Sequence, residues 1–124
     1  MSQGILVCED DKEITEFLDL YLSMKGYDYT IVNRGEHVLP ELEKKYYDLL
    51  LLDLGLPDLP GEEIVKIIRK EHIAPDMSIV YFSASFRLEK AMEDVPVDGI
   101  LHKPFDITQL DNILKKFTEL NNAI

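Results

Sequence analysis

The chain has 124 residues, 46% of them hydrophobic and 30% charged, and its formal net charge is -11. This composition predicts one globular domain, residues 1–124, and excludes a disordered chain, while the acidic balance opposes contact with the phosphates of a nucleic acid. Because no apolar run is long enough for a membrane span or a signal peptide, we expect a cytoplasmic domain without membrane contact. We also expect a monomer or a weak dimer.

The first predicted strand is the apolar run Gly4–Cys8, which ends directly in Glu9, Asp10 and Asp11. A helix follows, with Asp10 or Asp11 as its N-cap and Gly26 as its stop signal. One N-cap carboxylate is routine, but three acids within one turn repel one another. We therefore expect a cation beside them. The buried face of the helix has apolar residues at helical spacing, namely Ile14, Phe17, Leu18, Tyr21 and Leu22.

The third predicted strand carries four consecutive leucines, Leu49–Leu52, directly into Asp53. It follows a mixed edge strand, Tyr29–Val32, and a weak second helix, and its unbroken apolar run fits a strand buried on both faces of a parallel sheet. Asp53 then stands at the carboxyl end of a strand, where open α/β sheets bind their ligands. A loop rich in Pro and Gly separates it from a third helix that begins near Glu62.

Two further strands and two helices complete the pattern. The run Ile79–Phe82 leads into Ser83, and Val97–Leu101 leads to Lys103, with a short fourth helix between them. Asp106 begins the last helix with a capping-box sequence. We expect the buried stripe of this helix to contain Ile107, Leu110, Leu114 and Phe117.

Five strands that alternate with five helices predict an α/β fold, a flavodoxin-like, doubly wound parallel sheet of five strands in the order 2-1-3-4-5. In this order the first and third strands are neighbours, so Asp10 and Asp53 meet at one edge of the sheet. Ser83 arrives there from strand four and Lys103 from strand five. The topology thus gathers residues that are far apart in the sequence.

The chemistry of these residues favours phosphoryl transfer. Carboxylate oxygens without a thiolate or imidazole nearby favour Mg²⁺, which proteins hold through a few carboxylates and water. An aspartate beside Mg²⁺ can attack a phosphoryl group, and a lysine and a hydroxyl are enough to stabilise the transferred charge. Asp53, Lys103 and Ser83 fit these three roles.

Taken together, these residues resemble the motifs of bacterial response regulator receiver domains, of the chemotaxis-regulator type, over nearly the whole chain. The positions that match are Glu9 and Asp10, Asp53, Ser83 with Ala84, and Lys103-Pro104-Phe105. The resemblance implies that Asp53 is the phosphoacceptor of a two-component phosphorelay and that its donor is a sensor histidine kinase or a histidine phosphotransfer protein. It implies a changed affinity for an unidentified downstream protein as output, with no enzyme activity beyond the protein's own phosphorylation and dephosphorylation.

The resemblance also implies details of the site. The Lys103-Pro104 peptide bond would be cis. Ile100 departs from the family, because many receivers have an aromatic residue three positions before the lysine, and Ser85 leaves a small side chain at the mouth of the pocket. The ligands of Mg²⁺ would be Glu9, Asp10, Asp53 and the backbone carbonyl of Gly55.

Two alternatives to a signalling switch remain open. A receiver-like adaptor that acts without phosphorylation would be expected to lack the acceptor, an acid or the lysine, and all of these are present. A phosphatase of the haloacid-dehalogenase type, with an aspartate nucleophile, would be expected to carry a second acid two residues after Asp53, where Gly55 stands. Labelling with acetyl phosphate separates the three functions.

Overall fold

Strands and helices alternate along the chain in the structure, a computed structural model that describes residues 4–84 and 86–118. A short 3₁₀ helix, Gly35–His37, precedes the second α-helix. The elements in chain order are β1 (Gly4–Cys8), α1 (Lys12–Met24), β2 (Asp28–Val32), α2 (Val38–Lys44), β3 (Leu49–Leu52), α3 (Gly61–Lys70), β4 (Ser78–Ser83), α4 (Arg87–Asp94), β5 (Gly99–His102) and α5 (Ile107–Phe117).

The strands form one parallel sheet in the order β2-β1-β3-β4-β5, which confirms the predicted topology. In the pairing of β1 with β3, Cys8 lies opposite Leu52, so the residues that follow these two strands leave the sheet side by side. Helices α1 and α5 pack on one face of the sheet, and α2, α3 and α4 pack on the other. The fold therefore has three layers, and its loops at the carboxyl edge of the sheet lie close together.

The central strand β3 divides its side chains between the two faces. Leu50 and Leu52 belong to the core under α2, α3 and α4, and Leu49 and Leu51 belong to the core under α1 and α5. All four side chains are fully buried. Because burying one leucine stabilises a fold by about 1.5–3 kcal/mol, this strand is held firmly on both sides. Its carboxyl end is a rigid support for Asp53.

Local signals determine where α1 and α5 begin. Of the two candidate aspartates, Asp11 is the N-cap of α1, and its carboxylate accepts a hydrogen bond from the Ile14 N–H at 3.0 Å. Asp106 and Gln109 form the predicted capping box at the start of α5. Gly26 follows α1 with a φ of 81°, a left-handed conformation that glycine adopts without strain. These helix ends therefore agree with the sequence prediction.

The predicted start of the fifth strand is wrong by two residues. The strand begins at Gly99 rather than at Val97. In the connection before it, the carboxylate of Asp98 accepts a hydrogen bond from the Ile79 N–H at 2.7 Å, and the Asp98 N–H donates to the Ile79 carbonyl at 2.9 Å. A side chain thus takes over part of the pairing that a strand backbone would supply, and regular pairing starts after it.

The prediction that Ile107 belongs to the buried stripe of α5 is also wrong. Leu110 and Leu114 are buried as predicted, but Ile107 is 55% exposed. It occupies the first turn of the helix and lines a groove together with Phe17 and Phe105. Helical periodicity identifies the apolar face of a helix, but it does not show which residues of that face pack against other elements.

No helix within the described ranges combines the length and the apolar character that crossing a bilayer requires. The single cysteine, Cys8, is buried in β1 as a free thiol. Ser85, which the sequence placed at the mouth of the pocket, lies outside the described residues.

Candidate functional site

Three carboxylates converge at the carboxyl edge of the sheet. Glu9 and Asp10 follow β1, and Asp53 follows β3, its neighbour in the sheet. One oxygen atom from each of these side chains lies within 4.8 Å of the other two. Glu9 and Asp53 are 0% and 5% exposed, whereas Asp10 is open to solvent. The structure therefore brings together the acids that the topology was predicted to gather.

Lys103 reaches into this acidic cluster from the loop after β5. Its ammonium group forms an ion pair with Glu9 Oε1, and its Nζ lies 3.6 Å from Asp53 Oδ2. The same Nζ lies 4.7 Å from the ring centroid of Phe82, within the range of a cation–π contact. The Lys103-Pro104 peptide bond is cis, as predicted. The lysine thus bridges the carboxylates that arrive from β1 and β3.

Ser83 is the last residue of β4 and lies at the same edge of the sheet. It is paired with His102 of β5, and its carbonyl accepts a hydrogen bond from the Lys103 N–H at 2.9 Å. Its side chain is buried. The pairing of β4 with β5 therefore holds the Ser83 backbone beside that of Lys103, at the edge to which Asp53 also belongs.

Burial disfavours the charged form of Glu9 in this cluster and that of the neighbouring Cys8. The pKa of Glu9 rises to about 7, chiefly because the side chain is buried; Lys103 opposes the rise, and the charge of Asp53 adds to it. Burial also raises the pKa of the Cys8 thiol to about 12, with further contributions from Asp58 and Asp53. Cys8 therefore remains a neutral thiol at neutral pH.

The backbone after Asp53 is shaped by two glycines. The Gly55 N–H donates a hydrogen bond to Asp53 Oδ1 at 3.0 Å, which orients the carboxylate. A Cβ atom on Gly61 would lie 2.9 Å from Leu54 Cδ2 and 3.0 Å from the carbonyl oxygen of Asp53. Only glycine therefore allows the first turn of α3 to pack this closely against the end of β3.

The donor set of this cluster suits a hard divalent cation. Its three members offer carboxylate oxygens, two of which are held in place by the strand ends, and the exposed Asp10 leaves the cluster accessible to solvent on one side. Mg²⁺ is commonly held by a few carboxylates together with water and phosphate oxygens. The oxygen donors, the excess of negative charge and the open side all fit this ion.

Two features near the cluster were not predicted from the sequence. The carboxylate of Asp58 accepts hydrogen bonds from two backbone N–H groups in the connection before α2. An apolar groove, lined in part by Phe17, Phe105 and Ile107, runs between the starts of α1 and α5, and a smaller depression beside it reaches Lys103. The groove has one signal in the sequence, three large apolar residues close to helix starts, but helical periodicity assigned Phe17 and Ile107 to buried faces.

Comparison with known proteins gives one family. Residues 5–115 match the sequence model of the response regulator receiver domain. The chain is 35% identical over 107 residues to response regulator ArlR of Staphylococcus epidermidis, in an alignment that covers 86% of this chain and 48% of that protein. The chain thus spans about half the length of the curated relatives it matches.

Solved structures give the same result. A CheY-like response regulator receiver domain from Methylobacillus flagellatus is 30% identical, with a TM-score of 0.80 and coverage of 94% of this chain and 99% of that one. The receiver domain of the sensor histidine kinase PA1611 from Pseudomonas aeruginosa is 28% identical, with a TM-score of 0.83 and coverage of 94% and 98%. That structure has a magnesium ion coordinated in its active site cleft.

Proposed function

Because the chain belongs to the response regulator receiver domain family, we propose that it is a phosphorylatable signalling switch with Asp53 as its phosphoacceptor. One observation carries this proposal: Asp53 stands at a buried strand end, with carboxylate oxygens of Glu9 and Asp10 within 4.8 Å and Lys103 Nζ at 3.6 Å. Residues 5–115 match the family, and we propose that residues 1–124 form this one domain and act in the cytoplasm.

In the proposed reaction, a carboxylate oxygen of Asp53 attacks the phosphorus atom of a phosphohistidine. An O–P bond forms and the N–P bond breaks, and the donor histidine leaves with the electron pair of that bond; because its other ring nitrogen carries a proton, it leaves as a neutral imidazole. A Mg²⁺ ion would neutralise charge on the phosphoryl oxygens. The residues proposed to hold it are Glu9, Asp10, Asp53 and the backbone carbonyl of Gly55.

Lys103 and Ser83 have supporting roles in this reaction. The Lys103 ammonium already lies between Glu9 and Asp53, so it can pair with a phosphoryl oxygen on Asp53 after a small movement. The Ser83 hydroxyl, at the adjacent strand end, would donate a hydrogen bond to another phosphoryl oxygen. The catalysis is confined to the protein's own phosphorylation and dephosphorylation, and the output is a changed affinity for an unidentified downstream protein.

The phosphoryl donor that we propose is a sensor histidine kinase or a histidine phosphotransfer protein. The groove between α1 and α5 supports this proposal, because it offers exposed apolar surface directly beside the acidic cluster. Ile14 and Phe105 line both the groove and the depression that contains Lys103. A helix that carries the phosphohistidine can bury its apolar face there while its imidazole approaches Asp53.

Replacement of Asp53 by Asn tests the assignment. The wild-type protein, incubated with acetyl phosphate and Mg²⁺, should give one retarded band on a gel that binds phosphorylated proteins. Asp53→Asn should give none, because an amide is not a nucleophile toward phosphorus. Asp76→Asn, which changes an exposed aspartate elsewhere, is the matched control and should label like the wild type. Labelling of Asp53→Asn at the wild-type rate would show that another residue is the acceptor.

The same experiment separates the alternative functions. A phosphatase with an aspartate nucleophile would consume acetyl phosphate over many turnovers without accumulating a stable band. An adaptor that acts without phosphorylation would give neither a band nor turnover, with acetyl phosphate or with a phosphohistidine donor. The switch gives one equivalent of phosphoryl group per chain, which is lost slowly.

A further inference from the structure

A fourth carboxylate near the acidic cluster, that of Asp58, joins two loops. Asp58 Oδ1 accepts a hydrogen bond from the Gly35 N–H at 2.8 Å, and Oδ2 accepts one from the Glu36 N–H at 2.9 Å. Gly35 and Glu36 begin the 3₁₀ helix that precedes α2. Asp58 therefore ties the connection between β3 and α3 to the connection between β2 and α2. We call these two hydrogen bonds the Asp58 clasp.

The packing around the clasp is tight. A Cβ atom on Gly35 would lie 3.0 Å from Ile64 Cδ1 and 3.0 Å from Leu59 Cβ, so a larger residue there would require these side chains to shift. The N-cap of α3 is Pro60, which makes no side-chain cap hydrogen bond. Asp58, two residues before this N-cap, thus directs its carboxylate across to the neighbouring connection, and both of its oxygens are occupied there.

The clasp lies at one end of the segment that carries Gly55. At the other end, the Gly55 N–H donates to Asp53 Oδ1 at 3.0 Å. Gly55 itself is exposed, between the buried side chains of Leu54 and Leu56. The backbone that would present the Gly55 carbonyl is therefore held from the side of Asp53 and from the side of Asp58, with the two leucines as its support.

We propose that Asp58 is a positioning residue of the cation site: the Asp58 clasp holds the connection after β3 in the conformation in which the Gly55 carbonyl and the Asp53 carboxylate face one divalent cation. This inference rests on the proposed function, because it assumes that the cluster binds Mg²⁺. Asp58 acts through the backbone, and it does not touch the cation. Groups that orient metal ligands typically contribute about 10–100-fold to metal affinity.

Removing Asp58 has two effects that must be separated. It breaks the clasp, and it removes one negative charge from the neighbourhood of the cation. Asp58→Asn and Asp58→Ala remove the same charge, but Asn keeps one carbonyl oxygen that can still accept a hydrogen bond from one of the two N–H groups. If the clasp positions the site, Asp58→Ala must therefore weaken Mg²⁺ binding more than Asp58→Asn does.

Asp48 provides a matched control at the opposite edge of the sheet. Its Oδ2 accepts a hydrogen bond from the Gly4 N–H at 2.9 Å and thereby anchors the start of β1 beside β3. Asp48→Asn thus disturbs a comparable contact between an aspartate and the backbone, also with the loss of one charge. It should lower stability, but it should leave the affinity for Mg²⁺ unchanged.

The test is calorimetric titration of the intact chain and its variants with Mg²⁺ alone, after circular dichroism has shown that each variant is folded. We expect Asp58→Ala to raise the Kd for Mg²⁺ by about tenfold, Asp58→Asn to raise it by less, and Asp48→Asn to leave it as in the wild type.

Equal Kd values for Asp58→Ala and the wild type, or for Asp58→Ala and Asp58→Asn, would overturn the proposal. If Asp58→Ala does not fold, Asp58→Glu decides: it keeps the negative charge but places the carboxylate one methylene farther from the Gly35 and Glu36 N–H groups, so a raised Kd supports the proposal and a wild-type Kd overturns it. A wild-type chain that neither binds Mg²⁺ nor labels from acetyl phosphate would instead overturn the proposed function.

Discussion

At the scale of single residues, Glu41 shows how the fold stabilises a charge away from the acidic cluster. The hydroxyl of the fully buried Tyr47 donates a hydrogen bond to Glu41 Oε2 at 2.8 Å, and Lys44 lies 3.0 Å from Oε1 of the same carboxylate. The hydrogen bond from Tyr47 and then that from Lys44 lower the pKa of Glu41 below its usual 4.5. The charged form of Glu41 is therefore favoured in the folded state.

This pKa shift makes a prediction about acid stability. Because the pKa of Glu41 is lower in the folded than in the unfolded state, its stabilisation is fully present above the unfolded pKa and is lost as the pH falls through the folded pKa. Glu41→Gln should lower the free energy of unfolding at pH 7 by about 1–2 kcal/mol, because a hydrogen bond to a charged group stabilises a fold more than one to a neutral amide does, and the difference from the wild type should shrink below pH 4.

Urea denaturation of both proteins at pH 7, 5 and 3 measures this difference. Glu43→Gln, which changes an exposed glutamate on the same helix, is the control and should have little effect at any of these pH values. A gap between the wild type and Glu41→Gln that stays constant from pH 7 to pH 3 would mean that the charge of Glu41 does not contribute to stability.

Residues at strand ends could be predicted from the sequence, and residues that act through single long-range hydrogen bonds could not. Asp53 and Lys103 follow apolar runs, so their place in a parallel sheet follows from the order of the strands. The partner of Asp58 is Gly35, 23 residues away, and the chain carries no periodic signal for that contact. Nothing in the sequence distinguishes Asp58 from an aspartate that only solvates a loop.

At the scale of elements, the β4–β5 pair differs from the pattern that the family resemblance implied. Ile100 of β5, which stands where many receivers have an aromatic residue, lies opposite Tyr81 of β4 and packs half-buried against the core under α2, α3 and α4. Tyr81 is fully buried, and its hydroxyl donates to the Val95 carbonyl after α4 at 2.6 Å. The aromatic ring at this level of the sheet thus belongs to β4 and is attached to the end of α4.

We predict that Ile100 has a structural role and that Ser83 has a signalling role. Ile100→Ala should lower the free energy of unfolding by about 2 kcal/mol, since it removes part of a half-buried side chain, and should keep the conformational response to beryllofluoride. Ser83→Ala should change stability less, and it should lose much of the response, because the hydroxyl proposed to contact the phosphoryl group is missing.

Urea denaturation gives the stabilities, and amide chemical shifts of α4 and β5, with and without beryllofluoride, give the responses. The assignment fails if Ile100→Ala loses the shifts while Ser83→Ala keeps them. Asp53→Asn serves as the reference that shows the spectrum without a phosphoryl mimic at the acceptor.

Patterns of apolar residues predicted the five strands and the five α-helices of the described chain but not the 3₁₀ helix, and they failed near the starts of β5 and α5. They placed the start of β5 at Val97, although Asp98 interrupts the strand with a side-chain contact to Ile79. They also placed Ile107 in the core because it continues the apolar stripe of α5. Both failures have one physical cause: a periodic pattern describes an element in isolation, whereas its ends are determined by its neighbours.

At the scale of the whole molecule, the apolar groove and the acidic cluster form one continuous surface at the carboxyl edge of the sheet. A protein donor that docks through the groove covers it while its phosphohistidine approaches Asp53, whereas a small molecule such as acetyl phosphate need not contact the groove. Ile107, in the first turn of α5, contributes an exposed apolar side chain to this surface. Ile107 was predicted to be buried. Because it is exposed, a change at this residue can distinguish a protein donor from a small-molecule donor.

We predict that Ile107→Ser slows phosphoryl transfer from a protein donor about tenfold, the effect of losing roughly 1.4 kcal/mol of contact, and leaves labelling by acetyl phosphate unchanged. The donor in this assay is an autophosphorylated histidine kinase from the same organism, chosen because it labels the wild type. Phe86→Ser, which removes a 91% exposed aromatic residue ahead of α4, is the control and should transfer normally. Equal slowing with both donors would place the defect in the cation site rather than in docking.

The division of the four leucines of β3 between two cores has a consequence for unfolding. Because alternate leucines of this one strand pack in different cores, Leu50 and Leu52 cannot leave their core without moving Leu49 and Leu51. A slip of the strand by one residue would place all four on the wrong faces. The two helical layers therefore cannot melt one after the other. The molecule should unfold in a single cooperative transition, and the amides of β3 should exchange with solvent only through global opening.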